Sequence, residues 1–287
     1  MKICLVVVTH NRLAYTRKCL EALLADRKTD FDLVLWDNAS TDETAEYLRD
    51  GIKDARVKEV VLHKENPGPT FALNRIWSKS KAELIGKVDN DCLVAPDWLT
   101  KLSEAHTEIE QLGAVACWHY RQIDFNESVA RWKIHQYGRH GIFRHPHVCG
   151  SGFLLKRSIY QKIGPCPEGS RSYGLTGYFH KVALGGYING WYYPFVLQDH
   201  MDDPFSPHCA FKDDATMQAV GEVTYTMRTH AIKTYAERLK RREYVLRELH
   251  LGPWQPQFYL GWPGRIRRWL PFVDRFCRAV YTKFPAA

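Results

Sequence analysis

Over the first 120 residues, short apolar runs of strand length alternate with segments of helical periodicity, a pattern that points to a parallel sheet built from βαβ units. Ile3 to Thr9 reads as the first strand, and Tyr15 to Leu24 as an amphipathic helix with Leu20, Leu23 and Leu24 on one face. Leu33 to Trp36, Val57 to Leu62 and Glu83 to Val88 supply three more strands. Between them, the turn from Asp37 to Glu43 offers capping side chains ahead of a helix through Leu48, and the break Asn66-Pro67-Gly68-Pro69 precedes a helix to about Trp77. A helix from beyond Pro96 to about Gln111 and a strand from Ala114 to Trp118 continue the alternation. The pattern then turns irregular and rich in His, Arg and aromatics, which reads as loop and surface, with His135, His140, His145, His147 and His208 solvated or facing a ligand. Phe153–Leu155 and the strongly β-prone Gly190–Leu197 read as strands, and Ile232–His250 as helix.

A chain of 287 residues with 45% hydrophobic content can bury a substantial core. No stretch reaches the roughly 20 apolar residues of a membrane-spanning helix, so neither anchor nor signal peptide is expected. The eight cysteines stand singly, without the close pairs of structural zinc or redox motifs, and read as reduced, buried thiols of a cytoplasmic protein. That reading includes Cys92, which lies beside the acidic motif described below. The net charge of +8 is concentrated at the end: Arg228 to Ala287 holds thirteen Lys and Arg against four Asp and Glu. Basic character is therefore a property of the tail.

The chemistry centres on Asp89-Asn90-Asp91, at the end of an expected buried strand. Residues i and i+2 of a strand point the same way, so both acids can face one point. Two hard oxygen ligands at a strand's carboxyl end suit Mg²⁺ or Mn²⁺, an ion able to neutralise a diphosphate leaving group. An isolated acidic triplet is common, and its meaning depends on context.

The context is an ordered series: Val6-Val7-Val8-Thr9-His10-Asn11-Arg12, then Trp36-Asp37-Asn38-Ala39-Ser40-Thr41-Asp42, then Asn66-Pro67-Gly68 with Asn74, then Lys87-Val88-Asp89-Asn90-Asp91 with Pro96 downstream. Gly150-Ser151-Gly152-Phe153 through Ile163-Gly164, and Tyr187 to Ser206 with its late His200, follow in the same order. In this the chain resembles the family-2 glycosyltransferases of the GT-A fold over about residues 3 to 206. The resemblance implies an α/β protein, with a Rossmann-like nucleotide-binding half, a mixed central sheet and a basic, helical C-terminal extension. The expected divisions are a glycosyltransferase domain over 1–227 (1–112 the donor-nucleotide half, 113–227 the acceptor half) and the extension over 228–287.

The resemblance further implies that Thr9, Asn11 and Arg12 lie at the donor nucleotide, that Asp37 hydrogen-bonds the base, and that Asp89 and Asp91 hold Mn²⁺ or Mg²⁺, with His200 as a third ligand. Asn66 and Asn74 are candidate donor contacts, Asn66 being equally suited to a turn, and Asp42 is expected to cap a helix. Arg75 faces phosphate or solvent. The family's Glu-Asp pair, whose Asp serves as base toward the acceptor, falls on Gly174-Leu175 here, and no carboxylate stands there. Asp203, Asp202 and His180 are the candidate replacements, with Glu168 a further option. The implied reaction is transfer of a sugar, with inversion, from a nucleotide-diphosphate sugar to a saccharide or lipid-linked acceptor in surface polysaccharide, lipopolysaccharide or glycolipid synthesis. A non-catalytic sugar-binding relative and a retaining enzyme are the alternatives. The stretch from Gly261 to Phe272 interleaves Arg with Trp, Pro and Phe, a mixture suited to an anionic membrane surface and thus to a peripheral location on the inner face, or equally to an ordinary packed helix. No nucleic-acid signature is present, and none is expected as a partner.

Overall fold

The computed structural model describes residues 1–168, 175–224, 248–260 and 266. In chain order the elements are β1 (Ile3–Thr9), α1 (Leu13–Ala25), β2 (Asp32–Asn38), α2 (Thr44–Asp50), β3 (Val57–His63), α3 (Pro69–Lys79), β4 (Leu84–Asp89), β5 (Cys92–Val94), α4 (Trp98–Glu108), β6 (Leu112–Ala116), α5 (Glu127–Ala130), β7 (Ile134–Tyr137), β8 (His140–Arg144), β9 (Phe153–Lys156), α6 (Arg157–Ile163), α7 (Leu175–Leu184), β10 (Ile188–Tyr193), β11 (Gln198–His200) and α8 (Asp214–Thr224). Nine strands form one mixed sheet in the order β3-β2-β1-β4-β9-β6-β10-β8-β7, and β11 and β5 form a separate ribbon. β1 runs parallel to both β2 and β4, whereas β9 runs antiparallel to β4 and β6.

The sheet is buried on both faces, which is why its first strands read as unbroken apolar runs. In β1, Cys4, Val6 and Val8 join a core with Leu73, Ile76 and Trp77 of α3 and Tyr178, Phe179 and Val182 of α7. The alternate residues Ile3, Leu5 and Val7 join a second core with Cys19, Leu20 and Leu23 of α1 and Leu99, Leu102 and Ala105 of α4. Truncating a fully buried leucine such as Leu5 or Leu102 costs about 2–5 kcal/mol.

Beyond β6 the structure departs from the sequence-based expectation. The stretch expected to be surface contains the β7–β8 hairpin, and His140 and His145 are each only 1% exposed. The strand expected over Gly190–Leu197 stops at Tyr193; a cis Tyr193–Pro194 bond follows, and β11 begins at Gln198. The helix expected to reach Gln111 ends at Glu108. The helix expected over Ile232–His250 lies outside the described residues except for its end, where 248–251 are helical. Residues 248–260 pack on the β7–β8 side: the buried Lys133 donates to the Leu249 carbonyl at 2.6 Å, and Trp132 Nε1 to that of His250 at 3.2 Å. Among the described residues, no helix is long and apolar enough to cross a membrane.

Candidate active site

In an open α/β sheet, ligands gather beyond the carboxyl ends of the strands, where connections leave a central strand in opposite directions. Here that point is the end of β1, flanked by β2 and β4. Thr9 closes β1 opposite Asp37, and its hydroxyl donates to Asp37 Oδ1 at 2.9 Å. Ser40 adds two more bonds to this carboxylate, through its amide at 2.8 Å and its hydroxyl at 2.5 Å. Asn11 and Arg12 follow in left-handed backbone, φ 56° and 69°, a conformation that costs non-glycine residues of order 1–3 kcal/mol and needs surrounding bonds to hold it. Those bonds run to the 40–42 turn: Asn11 N donates to Ser40 Oγ at 2.7 Å, Thr41 N to Asn11 Oδ1 at 2.7 Å, and Leu13 N to Asp42 Oδ2 at 3.2 Å. The other Asp42 oxygen accepts from Thr44 N at 3.0 Å, so this carboxylate does cap, tying the starts of α1 and α2.

The two acids of the 89–91 motif have different surroundings. Asp89 ends β4, and its amide donates to Ser151 Oγ at 2.8 Å. Its Oδ1 lies 2.5 Å from Nζ of Lys87, a buried lysine that also donates to Gly150 O. A turn intervenes before β5, and Asp91 is turned toward the β5–β11 ribbon. There Cys92 pairs with His200 in register, and Met201 N donates to Asp91 O at 2.8 Å. The outcome is that His200 Nε2 stands 3.8 Å from Asp91 Oδ2, although 109 residues separate them in sequence. Ligand atoms of Asp91, Cys92 and His200 all lie within 4.8 Å of one another. Burial and the Asp91 charge push Asp89 up against the opposing pull of Lys87. Burial would also raise Asp91, but His200 and Arg12 outweigh it and hold the carboxyl down to about 2. Gly152, at φ +59°, keeps this corner compact, since a side chain there would collide with Gln198.

Arg12 is the residue that joins the two sides of the crevice. Its guanidinium forms a two-pronged ion pair with Asp202, touches Asp91 Oδ2 at 3.2 Å and lies over the Tyr15 ring at 4.2 Å. Tyr15 Oη in turn accepts from Ala210 N at 2.8 Å. Asp202 is fully buried in this pair, and a carboxylate locked on a guanidinium is a poor proton acceptor. Asn74 is likewise engaged within the protein. Its amide donates to Cys166 O and Glu168 Oε1 and accepts from Cys166 N and Tyr160 Oη, which fills its hydrogen-bonding capacity in this arrangement. The same bonds engage Glu168. Asn66 accepts from Gly68 N at 3.1 Å, as a turn residue does. Arg75 lies over the Phe71 ring. His180 packs against His147 and Tyr259, and burial depresses it to about 4. Asp203 is half-buried beside the metal candidates: its amide donates to His200 O, and its Oδ1 accepts from Phe205 N. Sequence reasoning quoted Lys87 only as part of the acidic motif and read Cys92 as a buried thiol beside it. The signal for Lys87 was a cation in an otherwise apolar strand two residues before an acid.

Comparisons with known proteins agree with this geometry. The family model described as glycosyl transferase family 2 matches residues 4–164. The uncharacterized glycosyltransferase EpsJ of Bacillus subtilis strain 168 is 29% identical over 119 residues, 41% of this chain and 34% of EpsJ, so this chain aligns with about a third of that relative. Among solved structures, the mannosyltransferase PcManGT of Pyrobaculum calidifontis, in complex with GDP-Man and Mn²⁺, superposes with a TM-score of 0.59 at 18% identity, covering 99% of this chain and 88% of that one. S. aureus TarS 1–349, in complex with UDP-GlcNAc, gives 0.56 at 13% identity, covering 90% and 75%. With the family's motifs in order around the β1–β4 crevice and the GT-A architecture beneath them, the chain belongs to glycosyl transferase family 2.

Proposed function

We propose that this protein transfers a sugar from a nucleotide-diphosphate sugar to a saccharide or lipid-linked saccharide acceptor, with a divalent ion and with inversion. The observation that carries this reading is the meeting of Asp91 and His200 at the end of β4, beside the crevice where nucleotides bind in this fold. The donor set of carboxylate and imidazole fits Mn²⁺ or Mg²⁺. When bound, such an ion neutralises charge on the leaving diphosphate. Asp91 and His200 would hold it, with Asp89 released from Lys87 to assist. Thr9, Asn11 and Asp37 form the nucleotide wall, Asp37 testing the base through a directional acceptor. We place donor recognition in 1–112, acceptor recognition in 113–227 and membrane contact in the basic 228–287 segment, whose 261–272 stretch would favour anionic lipid. Deleting 261–287 is expected to lower partition into anionic liposomes while sparing turnover on a soluble acceptor.

Inversion is one in-line displacement and requires a group that takes the acceptor hydroxyl's proton. Asp203 is our candidate, because its backbone is bonded to His200 and its half-buried side chain stands beside the metal candidates. Product anomeric configuration by NMR, together with Asp203→Asn kinetics, tests this. The expected result is an inverted product and a kcat lowered by about 100-fold or more. A retained product overturns the mechanism, and wild-type kcat in Asp203→Asn removes Asp203 as the base.

A further inference from the structure

The metal candidates include a thiol that neither the acidic motif nor the late histidine requires. Cys92 opens β5 and faces His200 across the ribbon; it is fully buried, and its Sγ lies 3.5 Å from Asp91 Oδ1. Asp91 thus offers one oxygen toward the thiol and the other toward His200 and Arg12. The three ligand atoms already lie within 4.8 Å of one another. Around a tetrahedral Zn²⁺, with bonds of about 2.0–2.3 Å, such atoms stand roughly 3.3–3.7 Å apart, so a contraction of about 1 Å completes the shell.

We propose that Cys92 is a selective ligand for borderline divalent ions, so that Zn²⁺ and Co²⁺ occupy this site with a sulfur bond and compete with the hard ion used in transfer. The inference rests on the metal reading of the same site. Mg²⁺ and Mn²⁺ favour oxygen ligands and gain little from sulfur, whereas Zn²⁺ and Co²⁺ accept thiolate, imidazole and carboxylate together and bind N/O/S sites more tightly than Mn²⁺. As the sulfur–metal bond forms, the thiol proton passes to solvent. The thiolate and the Asp91 carboxylate then balance the ion's two charges, and the Arg12 guanidinium beside Asp91 offsets further negative charge from Asp89. Three protein ligands leave one position of a tetrahedral zinc open, and the tighter binding of Zn²⁺ by a mixed N/O/S set makes it a displacer of Mn²⁺ here.

The test is a Co²⁺ titration of the full chain followed by near-ultraviolet absorption, where a thiolate-to-cobalt charge-transfer band reports a sulfur ligand. Mn²⁺ affinity is measured by electron paramagnetic resonance on the same preparations. Wild type and Cys149→Ser should show the band, and Cys92→Ala and Cys92→Ser should lack it. Zn²⁺ affinity should fall by about 100-fold in the Cys92 variants while Mn²⁺ affinity stays within about threefold, a split that general loss of folding would not produce. Cys92→Ser preserves side-chain volume and decides the matter if Cys92→Ala is unstable. Co²⁺ binding to wild type without the band, or a band that survives in Cys92→Ala, overturns the proposal alone. Failure of wild type to bind both Mn²⁺ and Co²⁺ overturns the metal reading, and this inference with it.

Discussion

The two halves of the sheet are built by different means. On the first side, β1 to β4 are parallel strands, of which β1, β2 and β4 are packed between two apolar layers, and polar groups collect at one end, where Thr9, Asp37, Asp89 and Asp91 lie. On the acceptor side, antiparallel and short strands enclose an aromatic core in which Trp118 stacks on Phe195 at 4.1 Å and meets Trp191 at 5.4 Å. Histidines are part of that core: His145, His147 and His180 touch one another and Tyr259. The contrast separates two tasks. The first half gathers its polar groups at one end of the sheet, and the second brings His200 and Asp202 to them from a distant stretch of chain, as the proposed division into donor and acceptor halves requires.

If the halves meet functionally at the metal candidates, the largest effect belongs to Asp91→Ala. Metal-dependent affinity for a nucleoside diphosphate, by calorimetry with Mn²⁺, should fall by more than the roughly 10–100-fold typical of losing a residue that only orients a ligand. Asp42→Ala, which removes a cap in the same half, should cost about 1 kcal/mol of stability and leave that affinity intact. Equal loss of affinity in both variants would sink the assignment. Next in size is Asp202→Ala, which removes the two-pronged partner of the Arg12 guanidinium, leaves Asp91 beside it and cuts one tie between the halves. A stability loss of about 3–5 kcal/mol is expected by urea unfolding. A loss below about 1 kcal/mol would show that the segment after β11 is held by its other bonds, among them those of Met201 to Asp91 and of Ala210 to Tyr15.

The donor half was legible in the sequence for the reason that it is stable. Strands buried on both faces must be apolar throughout, and the break at 66–69 and the turn at 37–43 are punctuated by Pro, Gly, Asp and Ser. The short β5 and β11 carry no periodicity, and their pairing is a contact between residues about a hundred positions apart. Cys92 is the buried thiol that its sequence surroundings suggest, while its place opposite His200 could not be seen there, because the two are far apart in the chain. The inward bonds of Asn74 were hidden for the same reason, since Tyr160 and Cys166 lie on a segment with no visible link to α3. The hairpin β7–β8 was hidden because its histidines suggested a wet surface, yet His140 is buried and burial depresses His135 to about 4.

That last difference predicts the smallest effect and the one that reads the two halves separately. Burial depresses His180 to about 4 and His135 to about 4, and it holds His145 well below the usual imidazole range; the donor half contributes His106, depressed to about 3. An imidazole in the unfolded chain protonates near 6.5. Between about pH 6.5 and 4 the unfolded state therefore binds more protons than the folded one, and stability rises with pH in that window. The contribution of each buried ring is complete above pH 6.5 and is lost as pH falls toward 4, by of order 1–3 kcal/mol for His180. Because more of these rings lie on the acceptor side, acidification should open that side first. Hydrogen exchange at pH 5 should show β8 and β10 losing protection ahead of β1 and β4, and His180→Gln, whose side chain does not titrate, should flatten the pH dependence of the urea midpoint. If β1 and β4 open together with β8 and β10, the halves form one cooperative unit, and the histidine core does not set them apart.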